Sequence, residues 1–261
     1  MSERLVPFRA TGFAPRDHPV AGAATLIVLV AFWQIAAWCG WISTTFLSTP
    51  IDIARAIGAL ARSGELWAHL GISLWRLAIG WAVGTAAGLI AGAAVGLFSL
   101  ARSPTMAVVS ALFPIPKIAL VPLFIIWFGI GEGSKLVTLA FGVFFPTVIA
   151  TAAGVDGVPR ALIRMGQSFG LPWLSIVCKI VLPGALPSIL AGFRITTSTA
   201  IILLVAAEMI GAEKGIGAFV LSAGNLYDVD NLMAGIVLLS AIGLAVSWLI
   251  GRLERVLLGW R

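Results

Sequence analysis

The sequence predicts an all-α polytopic membrane protein with six transmembrane helices. Three observations carry this reading. Of the 261 residues, 60% are hydrophobic and only 11% are charged, where a soluble domain carries about 25% charge. Mean hydropathy is +1.05. Apolar runs of about 20 residues recur along the chain, the length a helix needs to cross the hydrocarbon core. The net charge of +6 is scattered between these runs. It therefore speaks for membrane topology and against a nucleic-acid partner.

A polar tail, residues 1–19 with Arg4, Arg9 and Arg16, leads into a first span at 20–41. That span is too long for a signal-peptide core and ends in the interface-anchor residues Trp38 and Trp41. Residues 43–64 place Ile51, Ala54, Ile57 and Leu60 at helical spacing among Asp52, Arg55 and Arg62, which predicts a short helix lying at the surface. A second span at 70–100 carries Gly80, Gly84, Gly88, Gly92 and Gly96, one every four residues. Glycine weakens a helix, so this ridge is read as a helix-packing surface that lets a neighbour approach closely. On a straight helix the ridge drifts by about 40° per step, so no single partner is required to cover it.

The third span, 105–128, contains Pro114, Pro116 and Pro122. Prolines kink helices, and broken helices persist in membranes where they are buried or line a cavity. Lys117 among them has two readings: facing a translocation pathway, or snorkelling to an interface. The loop GIGEGSK at 129–135 lacks the glycine a phosphate-binding loop places before its lysine, so the chain shows no nucleotide site of its own. The fourth span covers 136–155, the fifth runs from after Pro187 to about 209, and the sixth covers 231–251.

Six spans put both termini on one side, together with Arg102, Arg160, Arg164, Lys179, Arg194, Arg252, Arg255 and Arg261. The opposite side has Arg55, Arg62, Arg76, Lys135 and Lys214, and Arg76 is a mild anomaly. The positive-inside rule then makes both termini cytoplasmic. Cys39 and Cys178 fall on opposite sides, so neither a disulfide nor a metal cluster is expected. The remainder, 20–261, reads as a single transmembrane domain.

Residues 156–187 form the one long polar interruption. Asp156 and Pro159 suit a helix start, and Gly170 followed by Pro172 suits a helix stop. A helix over 158–169 follows, with Leu162, Met165 and Phe169 on one face and Arg160, Arg164 and Gln167 on another. Such a helix either rests on the bilayer or docks into a groove on a partner. In the fifth span, Thr196, Thr197, Ser198 and Thr199 are consecutive hydroxyls, with Glu208 near its outer end. The hydroxyls either face a pathway or bond back to the preceding turn. Glu208 is either a pathway, gate or docking residue or an interfacial, ion-paired carboxylate.

Gly170, nine residues, Ile180, then Leu182-Pro183 resembles the cytoplasmic motif of permease subunits of binding-protein-dependent ABC importers. That motif opens with Glu-Ala-Ala, where this chain has Arg164-Met165-Gly166. The stretches GELWAHLGISLWR, PIPKIALVPLFIIWFGIGEGSK, VLPGALPSILAGFR and AEMIGAEKGIG look like the branch that imports alkanesulfonates, taurine, nitrate and similar solutes. The resemblance implies a type I importer transmembrane fold with a cytoplasmic coupling helix, in a bacterial inner membrane. It implies a homodimer, two cytoplasmic ATPase subunits that hold ATP and Mg, and a periplasmic or lipid-anchored binding protein. No cofactor is expected on this chain, and no enzyme activity. The ATPase-docking residues it implies are Asp156, Arg160, Leu162, Arg164, Met165, Gly166, Phe169, Gly170, Ile180, Leu182 and Pro183. Pathway candidates are Lys117, Thr197, Ser198 and Glu208. A heteroaromatic vitamin precursor is the competing solute. A secondary transporter or channel is the competing class, and it would want inverted repeats or several buried charges. An intramembrane enzyme would want paired acids or histidines at depth, whereas His18 and His69 lie near span ends.

Overall fold

The computed structural model describes residues 19–259, so most of the expected N-terminal tail lies outside the described residues. The described residues form helices and no strand: α1 (Pro19–Trp38), α2 (Pro50–Ser63), α3 (Glu65–Leu97), α4 (Ser99–Leu112), α5 (Val121–Phe128), α6 (Glu132–Asp156), α7 (Arg160–Ser168), α8 (Trp173–Ile176), α9 (Leu182–Gly211), α10 (Ile216–Asn225) and α11 (Val229–Leu257). Four stretches are long and apolar enough to cross a membrane: α3, α6, the run Trp173–Gly211, and α11. A fifth span is made if α4 and the Lys117–Phe128 segment count as one broken crossing.

The proline-rich stretch is a true break. α4 ends at Leu112, and a 3-10 turn (Lys117–Leu120) leads into α5 at an angle of 87° to α4. The third span expected over 105–128, with its kinking prolines, is thus two helices that meet at a sharp bend. Pro114 and Pro116 remove the donors that would continue the α4 ladder.

The fifth span also differs from expectation. It does not begin after Pro187. α8 runs through one π-helical turn (Val177–Val181) directly into α9, so Pro183 sits in the first turn of α9 and Pro187 inside it. The π turn changes the hydrogen-bond register just before Pro183, whose missing N–H would otherwise interrupt the ladder. A helix was also missed: α10, ten residues between the fifth and sixth spans.

α2 is capped by Thr49, whose hydroxyl accepts from Asp52 N, and is stopped by Gly64 at φ +86°. Its apolar face does not rest on lipid alone. Ile53 and Leu60 are buried with Leu66 and Ala234 of α3 and α11.

The core is α3, α6 and α9. Gly80, Gly84, Gly88, Gly92 and Gly96 all face α6. A Cβ at Gly80, Gly88, Gly92 or Gly96 would lie 2.6 Å from the Cβ of Leu139, Thr147, Thr151 or Val155 respectively. At Gly84 it would strike the backbone of Ala140. The register advances in step along both helices, so they run parallel and α6 follows the drifting ridge for its whole length. A period of four exceeds 3.6, so following it requires right-handed winding. Leu139, Val143, Ala200 and Leu204 fill the centre between α3, α6 and α9.

Candidate functional site

The structure gathers the candidate side chains at opposite ends of the bundle, joined by α6 and α9.

At the first end, α7 is held as a rigid projection. Gly170 has φ +67°, its N–H donates to Gln167 O at 2.9 Å, and Leu171 N donates to Gly166 O at 3.1 Å. This paired pattern closes a helix with a left-handed residue, which favours glycine. Ile163 and Gly166 face inward. A Cβ on Gly166 would lie 2.9 Å from Ile180 Cδ1 and 3.4 Å from Ile176 Cγ1, and Ile176 packs in a cluster with Val155, Val158, Val181 and Ala185. On the outer side, Leu162, Met165 and Phe169 are 43%, 50% and 76% exposed. Arg160 and Arg164 are exposed beside them, as is Leu182, while Pro183 is half-buried.

Asp156 does not cap α7. It is the last residue of α6, and its carboxylate takes both Arg102 guanidinium nitrogens at 2.8 and 2.7 Å. The N-cap of α7 is Pro159, without a side-chain cap. Asp156 is drawn to Arg102 because α4 starts immediately beside the end of α6.

At the other end is a cluster that sequence reasoning divided into unrelated parts. Arg76 on α3 is 2% exposed. Its Nε and Nη2 donate to Glu132 at 2.7 and 2.6 Å, and its Nη1 donates to Glu208 at 2.8 Å and to the Lys214 carbonyl at 2.7 Å. Glu208 is fully buried and also accepts from Ser73 Oγ and from Gly217 N, both at 2.8 Å. Ser73 Oγ in turn accepts from Ile216 N at 2.9 Å. Lys135 lies 3.7 Å from Glu132 and donates to Gly131 O at 2.9 Å. His69 Nδ1 is 3.0 Å from Gly215 O. Two cations meet two carboxylates, so the cluster is neutral. The free N–H groups that begin α10 are satisfied by Ser73 and Glu208, and the carboxylate lies where the helix dipole favours negative charge.

Sequence reading singled out Glu208, noted Arg76 only as a mild topological anomaly, and passed over Glu132 and Ser73. The signal was present: Arg76 stands at the start of one span, Glu132 and Lys135 at the start of the next span but one, and Glu208 at the end of another. Topology puts all of these ends on one side.

The four pathway candidates sit in four environments. Glu208 is sealed in this network. Lys117 bonds the Phe113 carbonyl and its ammonium stands 4.7 Å from the Phe113 ring and 5.6 Å from that of Phe145. Ser198 is exposed and donates back to Arg194 O at 3.2 Å. Thr196 and Thr199 also bond back, to Phe193 O and Ile195 O. Of the four consecutive hydroxyls, only that of Thr197 is buried with no hydrogen-bond partner among the described residues, and Thr197 lines an apolar cavity of about 300 Å³ between α3, α9 and α11.

The sequence and the fold match known transport proteins. The family described as the binding-protein-dependent transport system inner membrane component matches residues 84–258. The chain belongs to this family. As a permease of this kind it is similar over 234 residues, 36% identical, to SsuC of Bacillus subtilis, which carries the name of an aliphatic sulfonates transport permease. That alignment covers 90% of this chain and 85% of the relative. SsuC of Escherichia coli is 38% identical, with 89% and 88% covered. TauC of Escherichia coli, a taurine transport system permease, is 34% identical, with 90% and 88% covered. A solved structure of the MetNI methionine ABC transporter superposes with a TM-score of 0.58 at 23% identity. It covers 75% of this permease and 95% of that chain, and it shares the fold.

Proposed function

We propose that this permease forms half of the translocation pathway of an ATP-driven importer for small organic sulfonates, an aliphatic sulfonate or taurine. The observation that carries the docking role is the uncovered apolar face of α7. Leu162, Met165 and Phe169 stand out from a helix that is locked at its C-terminus and wedged against Ile176 and Ile180. A rigid apolar knob with arginines beside it suits a groove on a partner protein. The sulfonate class rests on the relatives named for it, which align over about nine-tenths of the chain.

In this reading two copies of the chain pair, each seated on an ATPase that holds ATP and Mg, and a binding protein delivers the solute. The chain crosses the membrane six times, with α1 as the first span and α4 plus α5 as the third. Both termini and α7 are cytoplasmic. Nucleotide closes the two ATPases, α7 moves with its docked partner, and the continuous rod from α8 through α9 carries that motion to the Glu208 end. Differential affinity of nucleotide for two states drives the change.

Gly170→Trp tests the docking role. A tryptophan at φ +67° strains the turn that fixes α7. The variant is expected to insert in the membrane at wild-type levels but to lose co-purification with the ATPase and solute-stimulated ATP hydrolysis. Wild-type co-purification would sink the docking role. The sulfonate class fails separately if neither taurine nor an alkanesulfonate stimulates the assembled wild-type complex.

A further inference from the structure

On the sulfonate reading proposed above, we infer that Lys117 is the residue that meets the solute's negative charge midway through the membrane. Its ammonium has no counter-ion in this chain and stands at the break between α4 and α5.

Two helices fix its depth. The ammonium is 5.6 Å from the Phe145 ring, and a Cβ on Gly142 would lie 3.9 Å from the Lys117 stem. Phe145 comes 13 residues after the Glu132 start of α6 and 11 before its Asp156 end, about 20 and 16 Å along the helix. α4 leads to the same level. Arg102 pairs with Asp156, and Phe113, whose carbonyl accepts from Lys117, follows Arg102 by 11 residues. Between these points α4 packs on α6 through Val109 against Phe145 and Val148. The ammonium therefore lies near the centre of a hydrocarbon layer about 30 Å thick. Phe113 and Phe145 hold it there, away from either interface.

Arg76, Lys135, Arg102 and Arg194 on the neighbouring helices each have a carboxylate partner. Among the described residues Lys117 has none. Its bond to the Phe113 carbonyl suits the C-terminal end of α4, where the helix dipole favours a cation. That bond uses one of three N–H donors. The two aromatic rings attract the cation without cancelling its charge. An unpaired charge at this depth is costly against lipid and belongs beside a water-filled cavity. The surroundings fit such a cavity. Pro114 and Pro116 interrupt the helix here and are exposed, and Phe113 and Ile118 beside them are 43% and 45% exposed. Irregular backbone at membrane depth persists where it is buried in protein or lines an aqueous route. One fixed charge also binds an anion weakly enough to let it leave, as passage requires.

The test uses the complex of permease, ATPase and binding protein in liposomes, with the exposed Cys39 and Cys178 first changed to serine. Lys117→Gln keeps an N–H donor and loses the charge. It is expected to unfold at the parent's temperature but to take up taurine about tenfold more slowly, the worth of a charge-assisted hydrogen bond. Lys117→Arg should keep most of the uptake. Lys117→Cys should be as slow as Lys117→Gln. Treatment with 2-aminoethyl methanethiosulfonate, which attaches an ammonium, should restore it, and the 2-sulfonatoethyl reagent, which attaches a sulfonate, should not. A folding defect cannot produce that rescue, because it is read on protein already inserted. Parent-level uptake by Lys117→Gln, or equal uptake after either reagent, overturns the role. If the parent complex moves neither taurine nor an alkanesulfonate, the sulfonate class fails on its own. Labelling of Lys117→Cys by the sulfonatoethyl reagent, which does not cross lipid, then shows that residue 117 faces water, and absence of labelling overturns its place in the pathway.

Discussion

Glu208→Ala is expected to destabilise the permease by about 3–5 kcal/mol, the usual consequence of stranding one member of a buried ion pair. The alanine leaves Arg76, 2% exposed, with one carboxylate instead of two. It also leaves Ser73 Oγ and Gly217 N without their acceptor in a site where water does not reach. Glu132→Ala should do much less, because Glu132 is 42% exposed and water replaces part of what it gives. Thermal unfolding in detergent reads both. The decisive comparison is the double variant Arg76→Met with Glu208→Met. It removes one charge of each sign and leaves Glu132 beside Lys135, so it should recover most of the loss. A double variant as unstable as Glu208→Ala would show that the pair is not what the site depends on.

This network also shows what the sequence makes legible and what it does not. The projecting helix α7 is readable because its signals are local. Gly170 and Pro172 stop a helix, and the i, i+3, i+7 spacing of Leu162, Met165 and Phe169 gives it a face. The glycine ridge is readable for the same reason, since five residues on one helix state their own periodicity. Arg76, Glu132 and Glu208 are 56 and 76 residues apart along the chain. No periodicity joins them, and each alone has an ordinary explanation in topology or loop composition. Only the packing of α3, α6 and α9 shows that one guanidinium serves both carboxylates.

The differences at the prolines have a similar cause. Pro114 and Pro116 break a span, whereas Pro183 and Pro187 are carried inside one. The residue type is the same in both places. The outcome depends on whether the neighbouring turn adjusts its hydrogen bonds, as the π turn at Val177–Val181 does before Pro183. α10 escaped notice because its ten residues are too few for a span and its start is fixed by Ser73 and Glu208 from other helices. Asp156 was taken for a cap because it precedes a helix. In three dimensions Arg102 is the stronger partner.

The same substitution at two points of α3 should act with opposite sign. Gly71 has nothing within 4 Å of the position a Cβ would take. Gly71→Ala removes a helix-weakening residue, and a gain approaching 1 kcal/mol is expected. At Gly84 the new Cβ meets the carbonyl oxygen of Ala140, its Cα at 2.8 Å and its carbonyl carbon at 3.0 Å. Backbone cannot rotate away as a side-chain tip can, so α3 and α6 must separate. Separation also loosens the contacts at Gly80, Gly88, Gly92 and Gly96, because one partner helix covers the whole ridge. Gly84→Ala is therefore expected to cost about 1–3 kcal/mol for overpacking, and Gly84→Leu more, with loss of folded protein from the membrane. Thermal unfolding of the two alanine variants side by side is the measurement. Equal shifts would mean that the ridge is not a close helix contact. Because α6 carries Glu132 at one end and Asp156 at the other, a separation of α3 from α6 should also weaken the Arg76–Glu132 and Arg102–Asp156 pairs. The effect of Gly84→Ala and that of breaking either pair should then be less than additive, which a double-mutant cycle detects.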